Sequence, residues 1–245
     1  MSGHSKWATI KHKKAATDAK RGQLFTKLIK EITVAARHGG NPDSNPRLRV
    51  AIERAKEASM PADNIDRAVK KGTGELEGVS YEDVTLEGYG PSGVAIYIEA
   101  LSDNKNRTTS EVRTIFTKKG GNMAGAGSVS WMFEKKGYIV VSKKTIDEDR
   151  LMSIVLDAGA EDMVVEEENF AVKTSPADFY KVKKALDDNS VKIESAEITL
   201  VPKSTVKVLG EDAKRVLDLV NSLEEHGDVQ NVYANFDIPD ELLKE

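Results

Sequence analysis

The chain has 245 residues, 39% hydrophobic and 31% charged, with a formal net charge of −4 and no cysteine. That length and composition suit a folded chain of one to three domains. Without cysteine, disulfides, thiolate metal sites, iron–sulfur clusters and thiol nucleophiles are excluded, and the sequence offers no run of about 18 apolar residues to span a membrane.

The charge is unevenly placed. The first 37 residues hold nine Lys/Arg and two acids. Through Gly72 there are 16 basic and 7 acidic residues, and the other 173 residues carry 20 basic and 33 acidic ones. The head is suited to a polyanion and the body repels one. The basic start runs directly into a patterned helix, so it reads as folded protein rather than a cleaved presequence.

From Gln23 to Ala36, Leu24, Phe25, Leu28, Ile29 and Ile32 recur at helical spacing, with Lys27, Lys30 and Arg37 off the stripe. Residues 39–46, GGNPDSNP, form a loop, and Pro46 suits the first turn of a second helix burying Leu48, Ala51, Ile52 and Ala55. Met60-Pro61 breaks the chain. A short third helix, capped by Asp63, turns Ile65, Ala68 and Val69 inward and ends at Lys70-Lys71-Gly72, with Gly72 as C-cap. Residues 73–80 read as a linker.

Beyond the linker the period changes from 3.6 to 2. Strands are expected at 81–87 and 94–101, joined by GYGPSG, then a helix at 106–119, the Gly-rich GGNMAGAG, and a strand at 128–133. Residues 138–201 hold a β-α-β-β-α-β order, the split βαβ of ferredoxin-like folds. Its first helix opens with the capping-box pair Thr145 and Glu148, and its second with Ser175-Pro176. A strand at 205–209, a helix at 211–225 and a strand at 229–236 then complete the unit left open at Phe133. The expected fold is α+β: a basic helical domain over 1–78, a ferredoxin-like α/β domain over 79–135 plus 203–240, and a second ferredoxin-like domain over 136–202 inserted into it.

No catalytic constellation emerges. His4, His12 and His38 lie in the head, without metal-ligand spacing. His226 lies at a helix end, where it suits the negative terminus. Asp147-Glu148-Asp149 reads as a helix first turn and Glu166-Glu167-Glu168 as a solvated strand–strand turn. GGNMAGAG lacks the Gly-Lys-Ser/Thr ending of a phosphate-binding loop and precedes a strand instead of a helix. It reads as a helix C-cap with a flexible connection, or as a loop touching a macromolecular partner. No cofactor, metal or small-molecule substrate is expected.

Nucleic-acid binding is the better-supported chemistry. Lys6, Lys11, Lys13, Lys14, Lys20 and Arg21 fall within 16 residues, a density that neutralises phosphates and releases counterions. Trp7 among them either stacks on a base or packs its own segment. With His12, Lys27 and Lys30 these form the candidate interface. A second basic group, Arg107, Arg113, Lys118 and Lys119, with Lys105, sits on or beside the 106–119 helix and extends the footprint.

Four segments carry a resemblance: GHSKWATIKHKKAATDAKRGQLFTKLIKEI, NPRLRVAIERAKEASMPADNIDRAVKKG, EGYGPSGVAIYIEALSDNKNRT and KKGGNMAGAGSVSWMF. Together they resemble the YebC/PmpR family, called TACO proteins in mitochondria, over essentially the whole chain. The resemblance implies a helical N-terminal domain and two α/β domains. It also implies a non-enzymatic regulator of gene expression, as a promoter-DNA-binding transcriptional regulator or as a ribosome-associated translation factor, with no catalytic residues to carry over. An acidic body hinders wrapping along duplex DNA and suits basic ribosomal proteins. The expected partner is therefore ribosomal RNA or the ribosome, with promoter DNA as the alternative, in the cytoplasm and away from membranes.

Overall fold

A computed structural model describes residues 18–166 and 168–239. The described chain is α+β, with a helical N-terminal region followed by two four-stranded sheets and a small two-stranded one. Residues 18–128 with Gly210–Val232 form one compact unit, and Val129–Leu209 with 233–239 another.

The first unit begins with α1 (Asp18–Ala36), α2 (Pro46–Glu57) and α3 (Ala62–Thr73). Their shared core is Leu28, Ile32, Ala35, Leu48, Ala51, Ala55, Met60, Ile65 and Ala68. Most of the expected stripe is inward, but Leu24 at its start is 37% exposed. Asn45 caps α2 by accepting from the Leu48 N–H, and its amide donates to the carbonyls of Ala35 and Gly39. One buried side chain thus satisfies groups at the end of one helix and the start of the next. Between α2 and α3, the Met60 N–H returns to the Ala55 carbonyl and the Ser59 N–H to that of Lys56. This is a Schellman ending with Ser59 at φ 58° where glycine is usual.

Two details of α3 differ from expectation. Its N-cap is Pro61, without a side-chain cap bond, and Asp63 lies in the first turn, where its charge meets the positive helix end. Its C-cap is Gly74 at φ 83°, not Gly72. Gly72 serves packing: a Cβ there would meet the Thr33 carbonyl and the Ala36 methyl of α1, so only glycine lets α3 lie this close.

The sheet of this unit has the order β3-β1-β2-β9, with β1 (Glu82–Tyr89), β2 (Ala95–Ser102), β3 (Asn122–Ala124) and β9 (Val229–Ala234). Two helices belong to it, α4 (Lys105–Lys118) and α7 (Gly210–Glu224). The expected strands at 128–133 and 205–209 do not join this sheet. The place beside β2 is taken by β1, antiparallel to it from Glu82↔Ser102 to Tyr89↔Ala95. A hairpin closed by GYGPSG costs little loop entropy, so adjacent strands pair before distant ones. At 130–132 the chain forms a 3₁₀ turn, with Val129 buried and Trp131 63% exposed. Apolar alternation there does not mark two sheet faces.

In the second unit, β4 (Phe133–Ser142), α5 (Glu148–Asp157), β5 (Ala160–Val165), β6 (Asn169–Thr174), α6 (Phe179–Asp188) and β7 (Ile193–Pro202) follow the expected order. The sheet order β5-β6-β4-β7, antiparallel throughout, is the split βαβ arrangement. Ile139, Val141, Leu151, Val155, Phe170, Val172, Val182 and Leu186 form its core. β8 (Val206–Lys207) pairs in parallel with β10 (Phe236–Asp237) instead of entering either large sheet. The caps also shift. Asp147, not Thr145, caps α5 by accepting from the N–H groups of Asp149 and Arg150. Ser175 accepts from the Asp178 N–H in a turn that precedes α6, and the helix itself begins at Phe179.

Candidate nucleic-acid interface

Of the candidate interface, Lys6, Trp7, Lys11, His12, Lys13 and Lys14 lie outside the described residues, as does His4. Lys20 lies on α1. Arg21 is exposed, its guanidinium 5.5 Å from the centre of the Phe25 ring. Such stacking leaves the guanidinium edge open to a phosphate.

Lys27 and Lys30 correct the expectation. Both turn inward, toward the corner between α7 and β9. The Lys27 ammonium donates to the Glu224 carbonyl at 2.7 Å, at the negative end of α7. Lys30 is only 8% exposed. Its ammonium donates to the Gly227 carbonyl at 2.9 Å and to Asp228 Oδ1 at 2.6 Å, and lies 5.3 Å from the centre of the Tyr81 ring. A lysine spent in this way offers no charge to a polyanion. Helical spacing puts Lys30 off the stripe of its own helix, but it cannot reveal a carboxylate 198 residues away in sequence.

That carboxylate, Asp228, is the centre of a buried cluster. Oδ2 accepts from Thr108 Oγ1 at 2.6 Å and from the Arg107 guanidinium at 2.7 Å. Thr108 Oγ1 is also 2.6 Å from Ser102 Oγ. The Asp228 backbone is held too: its carbonyl accepts from the Leu101 N–H of β2, and its N–H donates to His226 Nδ1. Because Nδ1 accepts, the ring proton is on Nε2, which faces Glu111 Oε2 at 2.9 Å. Burial alone raises the Asp228 pKa. The hydrogen bonds from Lys30, Thr108 and Arg107 and the charge of Lys30 outweigh that, holding the carboxyl well below the usual carboxylate range.

Glu111, His226 and Asp228 bring ligand-type atoms within 4.8 Å of one another. His226 and Asp228 are already engaged in these bonds, and Lys30 and Arg107 bring positive charge onto Asp228, which disfavours a further cation there. The cluster fits internal ion pairing better than metal coordination. His226 is thus a structural residue, engaged by Glu111 and the Asp228 N–H instead of by a helix terminus alone.

The second basic group divides. Arg113 and Lys118 are exposed, as is Lys105 at the other end of α4 from Lys118. Arg107 is shared between Asp103 and Asp228, and Lys119 pairs with Asp218 at 2.7 Å. Other exposed cations lie on α2 and α3: Arg49, Lys56, Arg67, Lys70 and Lys71. The sequence pattern puts Arg49 and Lys56 outside the buried face but not in the interface, because the density of the head outweighs them.

The glycine motifs resolve into packing. α4 ends in a Schellman motif, with Gly120 at φ 78° and the Gly121 N–H on the Phe116 carbonyl. The next residues form edge strand β3, antiparallel to β1, instead of a flexible connection. The Gly127 N–H donates to buried Glu87, and the Tyr89 hydroxyl to the Ser128 carbonyl. A Cβ at Gly88 would come within 2.7 Å of both the Asn122 carbonyl and the Phe116 ring. Gly88 and Gly121 bring backbone onto the Phe116 ring.

Of the acidic runs, 147–149 forms the cap and first turn of α5 as expected. In the other, Glu168 is exposed but Glu166 is 6% exposed, so the solvated reading fails there. The first unit's sheet carries Thr85, Glu87, Tyr97 and Glu99 on the face opposite Leu86, Ile96 and Ile98. Burial, then Glu99 and Glu87, raises the Tyr97 pKa against a hydrogen bond with Thr85. Carboxylates flanking the aromatic make this face unsuited to stacking bases as RNA-binding sheets do.

Among the described residues, no helix is long and apolar enough to cross a membrane. Residues 5–75 match the model of the TACO1/YebC protein N-terminal domain, and residues 81–236 that of the TACO1/YebC second and third domain. A protein of Dictyoglomus turgidum named probable transcriptional regulatory protein is 58% identical over 246 residues, covering 100% of this chain and 99% of its own. One of Geobacter sulfurreducens with the same description is 58% identical over 245 residues, with the same coverage. The crystal structure of a conserved hypothetical protein from Aquifex aeolicus superposes with a TM-score of 0.82 at 53% identity, covering 95% of this chain and 96% of that one.

Proposed function

Since the chain belongs to the TACO1/YebC family, we propose that it is a non-enzymatic, nucleic-acid-binding regulator of gene expression whose cationic N-terminal region meets ribosomal RNA. The observation that carries this reading is the charge division: 16 basic against 7 acidic residues through Gly72, and 20 against 33 afterwards. Such a division directs one end of a molecule to phosphates and keeps the other from following. The non-enzymatic part is supported by the engagement of His226, Asp228 and the Asp147 carboxylate in structural bonds. The acidic body is free to meet basic ribosomal proteins.

Promoter DNA is the second reading, favoured by the names of the relatives and by one feature of the fold. α2 and α3 are joined by four residues with Ser59 in the left-handed region, as in helix-turn-helix units. Against it stand Asp63 and Asp66, both exposed in the first half of α3. There a recognition helix meets base edges between phosphates, and acids repel them.

Co-sedimentation with ribosomes, run beside binding to promoter duplex across a salt series, separates the two. The ribosomal reading expects ribosome binding that persists at about 0.15 M salt, while duplex binding falls steeply and without sequence preference. Sequence-selective duplex binding without ribosome association at that salt would overturn it.

A further inference from the structure

We infer that the Lys30–Asp228–Arg107 cluster is a clasp that positions the nucleic-acid-binding end of the chain, acting through geometry and touching no phosphate itself. This rests on the proposed function.

α1 is one unbroken helix of 19 residues, and it carries Lys20 and Arg21 of the cation-dense 6–21 stretch, whose other four lysines precede it in sequence. It is fixed at the corner between α7 and β9 by two side chains one turn apart, Lys27 on the Glu224 carbonyl and Lys30 on Gly227 and Asp228. The receiving side is rigid as well. Asp228 is bonded through both backbone groups and through Thr108 and Arg107 of α4. From Lys30 to Asp18 is about 18 Å along the helix at 1.5 Å per residue. A swing of roughly 10° about the clasp would therefore move that end by about 3 Å. A cationic probe that must match several fixed phosphates does not tolerate such a shift.

The clasp has a charge signature opposite to that of simple attraction. Asp228→Asn removes a negative charge, so electrostatics alone predicts tighter polyanion binding. Positioning predicts the reverse. Ribosome affinity should fall about tenfold, within the usual range of coupling between sites, and the wild-type preference for ribosomes over random duplex should narrow. Lys30→Met, compared with Lys203→Met at an exposed site, is the second pair of variants. Both lose one positive charge, but only the first is expected to cost about tenfold in affinity and to raise amide exchange along Gln23–Glu31. It leaves Arg107 and Thr108 on Asp228, so it decides the matter even if Asp228→Asn does not fold. Equal or tighter ribosome binding by Asp228→Asn, or a Lys30→Met protein matching Lys203→Met in affinity and exchange, would overturn the clasp alone. A wild-type protein that binds no ribosomes would overturn the proposed function, and the clasp's role with it.

Discussion

Replacing Asp228 with alanine is expected to destabilise the protein by about 3–5 kcal/mol, the cost of removing one partner from a buried ion pair. Three donors lose their acceptor at once: the Lys30 ammonium, the Arg107 guanidinium and the Thr108 hydroxyl. Arg107 turns to Asp103 and water, and Thr108 keeps its contact with Ser102. Lys30 keeps the Gly227 carbonyl and the Tyr81 ring but loses its counter-charge in a site where it is 8% exposed. Most of the loss therefore comes from a charge left buried and unpaired.

The same carboxylate sets a pH dependence. Its folded pKa is held below the unfolded value of about 3.9. A depressed acid stabilises the fold fully above the unfolded pKa and loses that contribution as pH falls through the folded one. The stability gap between the wild type and Asp228→Asn should be constant from about pH 7 to 5 and narrow only below about pH 4. Denaturant titrations across that range check both statements; a gap that closes between pH 7 and 5 would contradict them.

Gly121→Val should destabilise by about 3 kcal/mol, whereas Gly125→Ala, in the same motif, should be neutral or stabilise by about 0.5 kcal/mol through the unfolded state. At Gly121 a Cβ would stand 2.7 Å from the Tyr89 carbonyl, 3.0 Å from the Phe116 ring and 3.2 Å from Leu219. Tyr89 pairs with both Ala95 and Asn122 across the sheet, so its backbone cannot yield. At Gly125 nothing lies within 4 Å. A phosphate cradle would show the opposite pattern, with the exposed glycine sensitive in binding and the buried one incidental. Thermal melting of the two variants distinguishes them: equal melting temperatures would refute the packing role.

What the sequence makes legible follows from the range of the interactions. Leu28, Ile32, Leu48, Ala55, Ile65 and Ala68 announce three helices because each buried face repeats along its own helix. The β-α-β-β-α-β order of the second unit is equally local, and the sheet matches it. The other sheet misleads because 128–133 has a strand-like composition, while the competing hairpin partner at 82–89 lies upstream and wins on proximity. The candidate interface fails at Lys27 and Lys30 for the same kind of reason. Their position off the apolar stripe is what a solvated lysine shows, and what a lysine reaching a distant helix end shows as well. The only hint is His226-Gly227-Asp228, a short polar turn between a buried helix and a buried strand, where an unpaired aspartate would be costly.

Neutralising Lys11, Lys13 and Lys14 together with glutamine, and measuring ribosome affinity across a salt series, tests most directly whether the basic head meets the phosphates. If each lysine neutralises one phosphate, the log–log salt dependence becomes shallower by about 2–3, at roughly 0.7–0.9 for each lysine replaced, while the melting temperature of the protein stays unchanged. Unchanged affinity and slope in the triple variant would contradict it.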